Sequence, residues 1–157
     1  ICLPLMGVDK EKKLPFDFKS LKPLAEKGNA MAQFRLGGMF YLGDGVEKDL
    51  KEADRWWLKA AGSFRKAALK GDAEAQMNLG YMYDRGNGVS KNLKRANWWI
   101  RKAADQGYAR AQTDLAYRYE RGKGVLEDYV TAYAWYNIAA ANGRALAKEK
   151  KTPSPKK

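Results

Sequence analysis

The sequence predicts an all-α solenoid of stacked antiparallel helix pairs, and three observations predict it. A decapeptide of the form Ala-Ala-x-x-Gly-x-Ala-x-Ala-Gln recurs at Leu24–Gln33, Ala67–Gln76 and Ala103–Gln112, with a remnant at Ala139–Ala145. A Gly-x-Gly-Val turn follows each full copy, at Gly43–Val46, Gly86–Val89 and Gly122–Val125. An alanine-and-aromatic run then leads into the next copy. The motif glycines Gly28, Gly71, Gly107 and Gly143 are 43, 36 and 36 residues apart. A fixed period in this range marks a stack of supersecondary units, each burying its apolar face against the next.

Each unit reads as two helices. The first opens after the motif glycine, where Asn29 and Asp72 suit an N-cap that accepts from an orphan amide. Its apolar positions recur at helical spacing: Ala73, Ala75, Leu79 and Tyr83 match Ala109, Ala111, Leu115 and Tyr119. Gly37, Gly80 and Ala116 are small enough to let a neighbouring helix approach closely. In the turn, the first glycine closes the helix in the left-handed conformation and the second allows the reversal. The second helix carries Trp56 and Trp57, Trp98 and Trp99, then Trp135 and Tyr136, and ends in a Lys-Ala-Ala or Ile-Ala-Ala run. The predicted layout is an apolar, irregular leader over 1–17 and a repeat domain over 18–147. Within that domain a half-unit at 18–27 precedes repeats at 28–70, 71–106 and 107–142, with a cap helix from 143. A basic tail over 148–157, rich in Lys with Pro153 and Pro155, has no apolar periodicity and reads as disordered.

The 43-residue step carries seven extra residues after Ala61, where Gly62-Ser63-Phe64-Arg65 precedes a second Lys66-Ala67-Ala68. Seven residues are nearly two helical turns, so an apolar face returns to register with about 20° of drift. The expectation is a second helix about two turns longer than its counterparts, with Gly62-Ser63 as the place for a bend. A loop breaking the helix at Gly62 is the competing reading.

These motifs carry a family resemblance. Ala-x-Ala-Gln-x-x-Leu-Gly-x-x-Tyr, then Gly-x-Gly-Val, then Ala-x-x-Trp-Tyr-x-Lys-Ala-Ala resembles the Sel1-like repeat, a 36-residue relative of the tetratricopeptide repeat. The resemblance spans about 130 residues. It implies a right-handed solenoid, a non-enzymatic scaffold or adaptor that binds protein or peptide partners on its concave face, and a bacterial source.

Composition narrows the function classes. The chain has no histidine and one cysteine, Cys2, which removes His-based nucleophilic catalysis, His-containing zinc sites and thiolate clusters. No catalytic, cofactor-binding or metal-ligating residue is expected. The net charge of +12 divides into zero over 1–17, +8 over 18–147 and +4 over the tail. That excess keeps a second function open, binding of nucleic acid or another polyanion. No apolar run is long enough to span a bilayer. Ile1–Gly7 is compatible with the remainder of a signal-peptide core, which implies export to the periplasm or beyond. It is equally compatible with an apolar arm docked on the solenoid of a cytoplasmic protein.

Several motifs have structural readings. The Gly-x-Gly turns close helices and lack a Lys-Ser/Thr partner, unlike phosphate loops. Glu47/Asp49 and Glu127/Asp128 fall at starts of second helices, where carboxylates meet the helix dipole. Trp56, Trp99 and Trp135 share one repeat position and read as a core layer. Trp98, whose counterparts are Arg55 and Ala134, falls off that stripe and reads as a surface aromatic.

The expected partner site is the stripe of the first helices that repeats in place but varies in chemistry. Counting 3, 7, 10 and 14 residues from each motif glycine gives Met31, Arg35, Gly38 and Leu42 in the first unit. The second unit supplies Glu74, Asn78, Tyr81 and Arg85, and the third Arg110, Asp114, Tyr117 and Arg121. First helices line the concave surface of such stacks, and Tyr and Arg are enriched at interface hot spots.

Overall fold

The computed structural model describes residues 17–143, which form seven α-helices and no strand. They are α1 (Phe18–Glu26), α2 (Ala30–Leu42), α3 (Leu50–Leu69), α4 (Ala73–Arg85), α5 (Leu93–Asp105), α6 (Ala109–Arg121) and α7 (Tyr129–Ala141). Each helix packs on the next in the chain, giving a helical-repeat solenoid of the pairs α2/α3, α4/α5 and α6/α7, with α1 as the leading half-unit. The leader over 1–16, the cap helix after 143 and the lysine tail lie outside the described residues.

Local chemistry sets the helix ends. Asn29 Oδ1 accepts from the Ala32 amide at 2.9 Å and Asp72 Oδ1 from the Ala75 amide at 2.7 Å. Asp49 and Asp128 cap α3 and α7, consistent with a carboxylate at a helix N-terminus. Gly43, Gly86 and Gly122 close α2, α4 and α6 at φ of 74°, 80° and 61°, a region that L side chains rarely adopt.

Within each pair a small residue of the first helix faces a large one of the second. A Cβ on Gly37 would overlap the Trp57 indole, and one on Gly80 would lie 2.6 Å from Ile100 Cγ1 and 3.0 Å from the Ala96 carbonyl. Ala116 packs in one cluster with Tyr136. The motif glutamines join three helices. Gln33, Gln76 and Gln112 donate to the carbonyls of Ala25, Ala68 and Ala104 at 2.9, 3.1 and 2.9 Å. Each also accepts from a residue 30 positions on: Ser63 at 2.8 Å, Gln106 at 2.7 Å and Asn142 at 2.9 Å. Buried amides satisfied in this way fix the docking of one unit on another.

That ladder locates the seven-residue insertion. Gln106 and Asn142 are the C-caps of α5 and α7, followed by Gly107 and Gly143 at positive φ. In the first unit Ser63 holds the capping position and Phe64 stands where the glycine should be. Nothing there favours the left-handed turn, so the helix continues until Gly71 at φ 96°. α3 is therefore a single helix of 20 residues against 13 in α5 and α7, and the loop reading is overturned.

The extension shifts the second unit along its support. Turn residue Gly124 of the third unit packs on Leu93, the first residue of α5. Its counterpart Gly88 packs on the backbone of Trp57 and Leu58, seven residues beyond Leu50, the first residue of α3. At 1.5 Å per residue this is a step of about 10 Å. It leaves Leu50 and Tyr41 exposed where their counterparts Leu93 and Asp84 are half-buried and buried.

Candidate partner-binding surface

The first helices α2, α4 and α6 hold the variable stripe, and the structure divides its residues into three groups. Arg85, Tyr117 and Arg121 are exposed. Arg85 and Arg121 close the last turns of α4 and α6, and the Arg121 guanidinium lies 5.7 Å from the Tyr117 ring centroid. Arg35, Glu74, Tyr81, Arg110 and Asp114 are half-buried. Burial pushes the Arg35 guanidinium below its ordinary value, and Tyr81 packs against the apolar clusters on both sides of α4.

Asn78 requires a correction. It is 1 % exposed, and among the described residues its side-chain amide has no hydrogen-bond partner. The angular position predicted from α4 alone is solvent-facing, but α4 is the first helix of the middle unit and has a neighbour on either side. An orphaned buried amide costs about 1–3 kcal/mol, so Asn78 is a destabilising interior residue rather than a contact for a partner.

Asp114 is engaged internally. Its Oδ2 accepts from Arg118 Nε at 2.7 Å, and Arg118, 1 % exposed, also donates to Asn97 Oδ1 at 2.9 Å and Asp84 Oδ1 at 3.4 Å. Asn97 Nδ2 donates to the Lys123 carbonyl at 2.9 Å, and Lys123 Nζ to Asp84 Oδ2 at 2.7 Å. Two cations and two carboxylates from α4, α6 and the third turn thus meet, with the Asn97 amide of α5 between them.

Trp98 is 53 % exposed on α5, in the second-helix layer, away from the stripe. Its ring meets Trp99 edge-on at 4.6 Å, and Lys102 Nζ lies 4.7 Å from its centroid. The core aromatics Trp56 and Trp99 are buried, and Trp135 of the last described helix is half-buried.

The Sel1 repeat model matches residues 30–62, 73–108 and 109–143, one match for each helix pair. The chain belongs to the Sel1 repeat family. The gap between the first two Sel1 matches contains the residues by which α3 overruns its counterparts. Among solved structures, the Sel1 repeat protein from Oxalobacter formigenes is 39 % identical with a TM-score of 0.57, covering 85 % of this chain and 95 % of its own. The c5321 protein, a protective antigen present in uropathogenic Escherichia coli strains, is 32 % identical at a TM-score of 0.57 over 88 % of this chain and 35 % of that longer one. Cysteine-rich protein B of Helicobacter pylori shares the fold at a TM-score of 0.54 and 22 % identity, over 84 % of this chain and 95 % of that one. Among curated protein sequences none matches. Sel1 repeats are generally protein–protein interaction modules, and these neighbours are bacterial.

Sequence reasoning missed Arg118 in this Sel1 stack. The signal was present: 11 residues from the motif glycine the units carry Met39, Met82 and Arg118, a charge where two relatives bury a thioether. The cluster makes acid stability testable. Burial pushes the Asp84 carboxyl up, but the Lys123 ammonium and the Arg118 guanidinium outweigh it and hold the group below its ordinary value of 3.8. With the folded value lowered, the contribution to stability is complete above the ordinary carboxylate range and is lost as pH falls below about 4. Thermal melts across that window should show a steep drop for the wild type and a shallower one for Asp84→Asn. Equal slopes would remove Asp84 from the acid response.

Proposed function

We propose that the protein is a non-enzymatic scaffold whose first-helix layer presents its variable stripe to a protein or peptide partner. The observation that carries this reading is the exposed trio Arg85, Tyr117 and Arg121, set at repeat positions whose flanking faces are spent on packing. Family membership supports the interaction role, and the side-chain types are those of interface hot spots. Nothing in the comparisons points to nucleic acid.

The test is affinity capture from a bacterial lysate with the wild type and an Arg85→Ala, Tyr117→Ala, Arg121→Ala variant. The three side chains are exposed, so the variant should keep the wild-type melting temperature. The expected result is a partner retained by the wild type and bound at least about tenfold more weakly by the variant, the loss of one hot-spot contribution. Equal capture by both proteins would remove the stripe from the binding function.

A further inference from the structure

We infer that α7 docks a second copy of this chain, antiparallel, through an outer face that carries no charge. The surface belongs to the second-helix layer, away from the stripe, and stands independently of the partner reading. Ala132, Tyr136, Ala139 and Ala140 turn inward, where α7 packs on α6. The opposite side carries Val130, Ala134 and Ile138, all exposed, Val130 by 80 %. The same repeat positions hold Lys51, Arg55 and Lys59 in α3, and Lys94, Trp98 and Lys102 in α5. Both counterparts therefore present cations outward, whereas α7 has no charged residue along its length. A helix that is apolar all round is normally a buried one.

Continuing the stack does not cover this face. With α6 packed on α5, Lys94, Trp98 and Lys102 stay exposed, because α6 and its turn engage Leu93, Asn97 and Ala104 instead. A further repeat helix would meet the counterparts Tyr129, Tyr133 and Ala140 and leave Val130, Ala134 and Ile138 open. Charge selects the occupant. The chain has a net charge of +12, so two copies approach most easily where neither presents a charge. Val130, Ala134 and Ile138 form one i±4 ridge, the element of helix-on-helix packing. In an isologous, two-fold pair Ala134 faces Ala134 of the other copy, and Val130 faces Ile138. The small central pair lets the two helices come close. The ends match as well. α7 starts beside the exposed Glu127 and its cap Asp128, and the chain that follows it carries Arg144 and five lysines against Glu149. Antiparallel pairing sets that cationic segment beside the other copy's carboxylates, whereas parallel pairing sets like charges together. A bilayer fits less well, since helices that lie on membranes carry Lys and Arg beside their apolar face and α7 has neither.

The experiment is sedimentation equilibrium of the full chain over a range of concentrations, on the wild type and a Val130→Lys/Ile138→Lys variant. α3 and α5 carry lysine at both of these positions, so the variant should keep the wild-type helical content. The expected result is a wild-type dimer with a dissociation constant on the order of 10 µM, as suits a small interface, and association at least about tenfold weaker in the variant. Cross-linking reads the geometry. In a Cys2→Ser background, Ala134→Cys should give an intermolecular disulfide on oxidation, and Lys59→Cys on the outer face of α3 should not. A wild type that stays monomeric at about 200 µM overturns the inference. A dimer that the lysine variant forms equally well, or one that Lys59→Cys traps as efficiently as Ala134→Cys, lies elsewhere and overturns it too. A monomeric wild type retained by phosphatidylcholine–phosphatidylglycerol vesicles through Val130 and Ile138 would assign the face to lipid instead.

Discussion

Arg118→Ala should lower the unfolding free energy by about 3–5 kcal/mol, the range for removing one partner of a buried ion pair. The wild-type guanidinium answers Asp84, Asp114 and Asn97 together, at 1 % exposure. Alanine leaves Asp114 without its cation and Asn97 Oδ1 without a donor, and only Lys123 continues to neutralise Asp84. Urea unfolding gives the size of the loss, and a change below about 1 kcal/mol would sink the assignment. The site of the loss is also predicted. The cluster ties α6 and the third turn to α4 and α5, and a repeat stack is held by such nearest-neighbour terms. Amide exchange in the variant should therefore rise first in α6 and α7, while α2 and α3 keep their protection. A triple variant, Arg118→Met with Asp84→Asn and Asp114→Asn, should recover most of the stability, because Met39 and Met82 fill the same repeat position as buried apolar residues.

Much of this molecule was legible because its determinants are local and repeated. A motif glycine, an N-cap and a Gly-x-Gly turn act within a few residues; three copies of the glycine and of the turn confirm one another, and the N-cap recurs at Asn29 and Asp72. The long α3 was legible for the same reason, since the absence of a terminating glycine at Phe64 is a local fact. What the step does was not legible: that Gly88 comes to rest on Trp57, leaving Leu50 and Tyr41 uncovered, depends on how two units meet. The burial of Asn78 and the ion pair of Asp114 with Arg118 were hidden on similar grounds. Helical angle states where a side chain points from its own axis, but not which neighbour occupies that direction. Arg118 was hidden by averaging over repeats, which emphasises what the units share and discards the position where one of them departs.

The closest packing in the stack yields the other large effect. Gly37→Ala should cost about 1–3 kcal/mol by overpacking, and Trp57→Ala about 3–5 kcal/mol by emptying the site. Both follow from one arrangement. The Trp57 indole occupies the space a Cβ on residue 37 would take, donates from Nε1 to the Phe34 carbonyl at 3.1 Å, and packs on Phe34 and Tyr41 at 6.4 and 5.4 Å. Its backbone also supports Gly88 of the second unit, so a shift of α3 propagates across the register step. The third unit offers the control, since Ala116 and Tyr136 fill the corresponding positions with a larger small residue and a smaller large one. Gly37→Ala combined with Trp57→Tyr should therefore cost less than the sum of the two single changes, by roughly 0.5–3 kcal/mol of coupling. Costs that simply add would show that the two residues do not share one volume, and the pairing of small with large along the stack would lose its energetic basis.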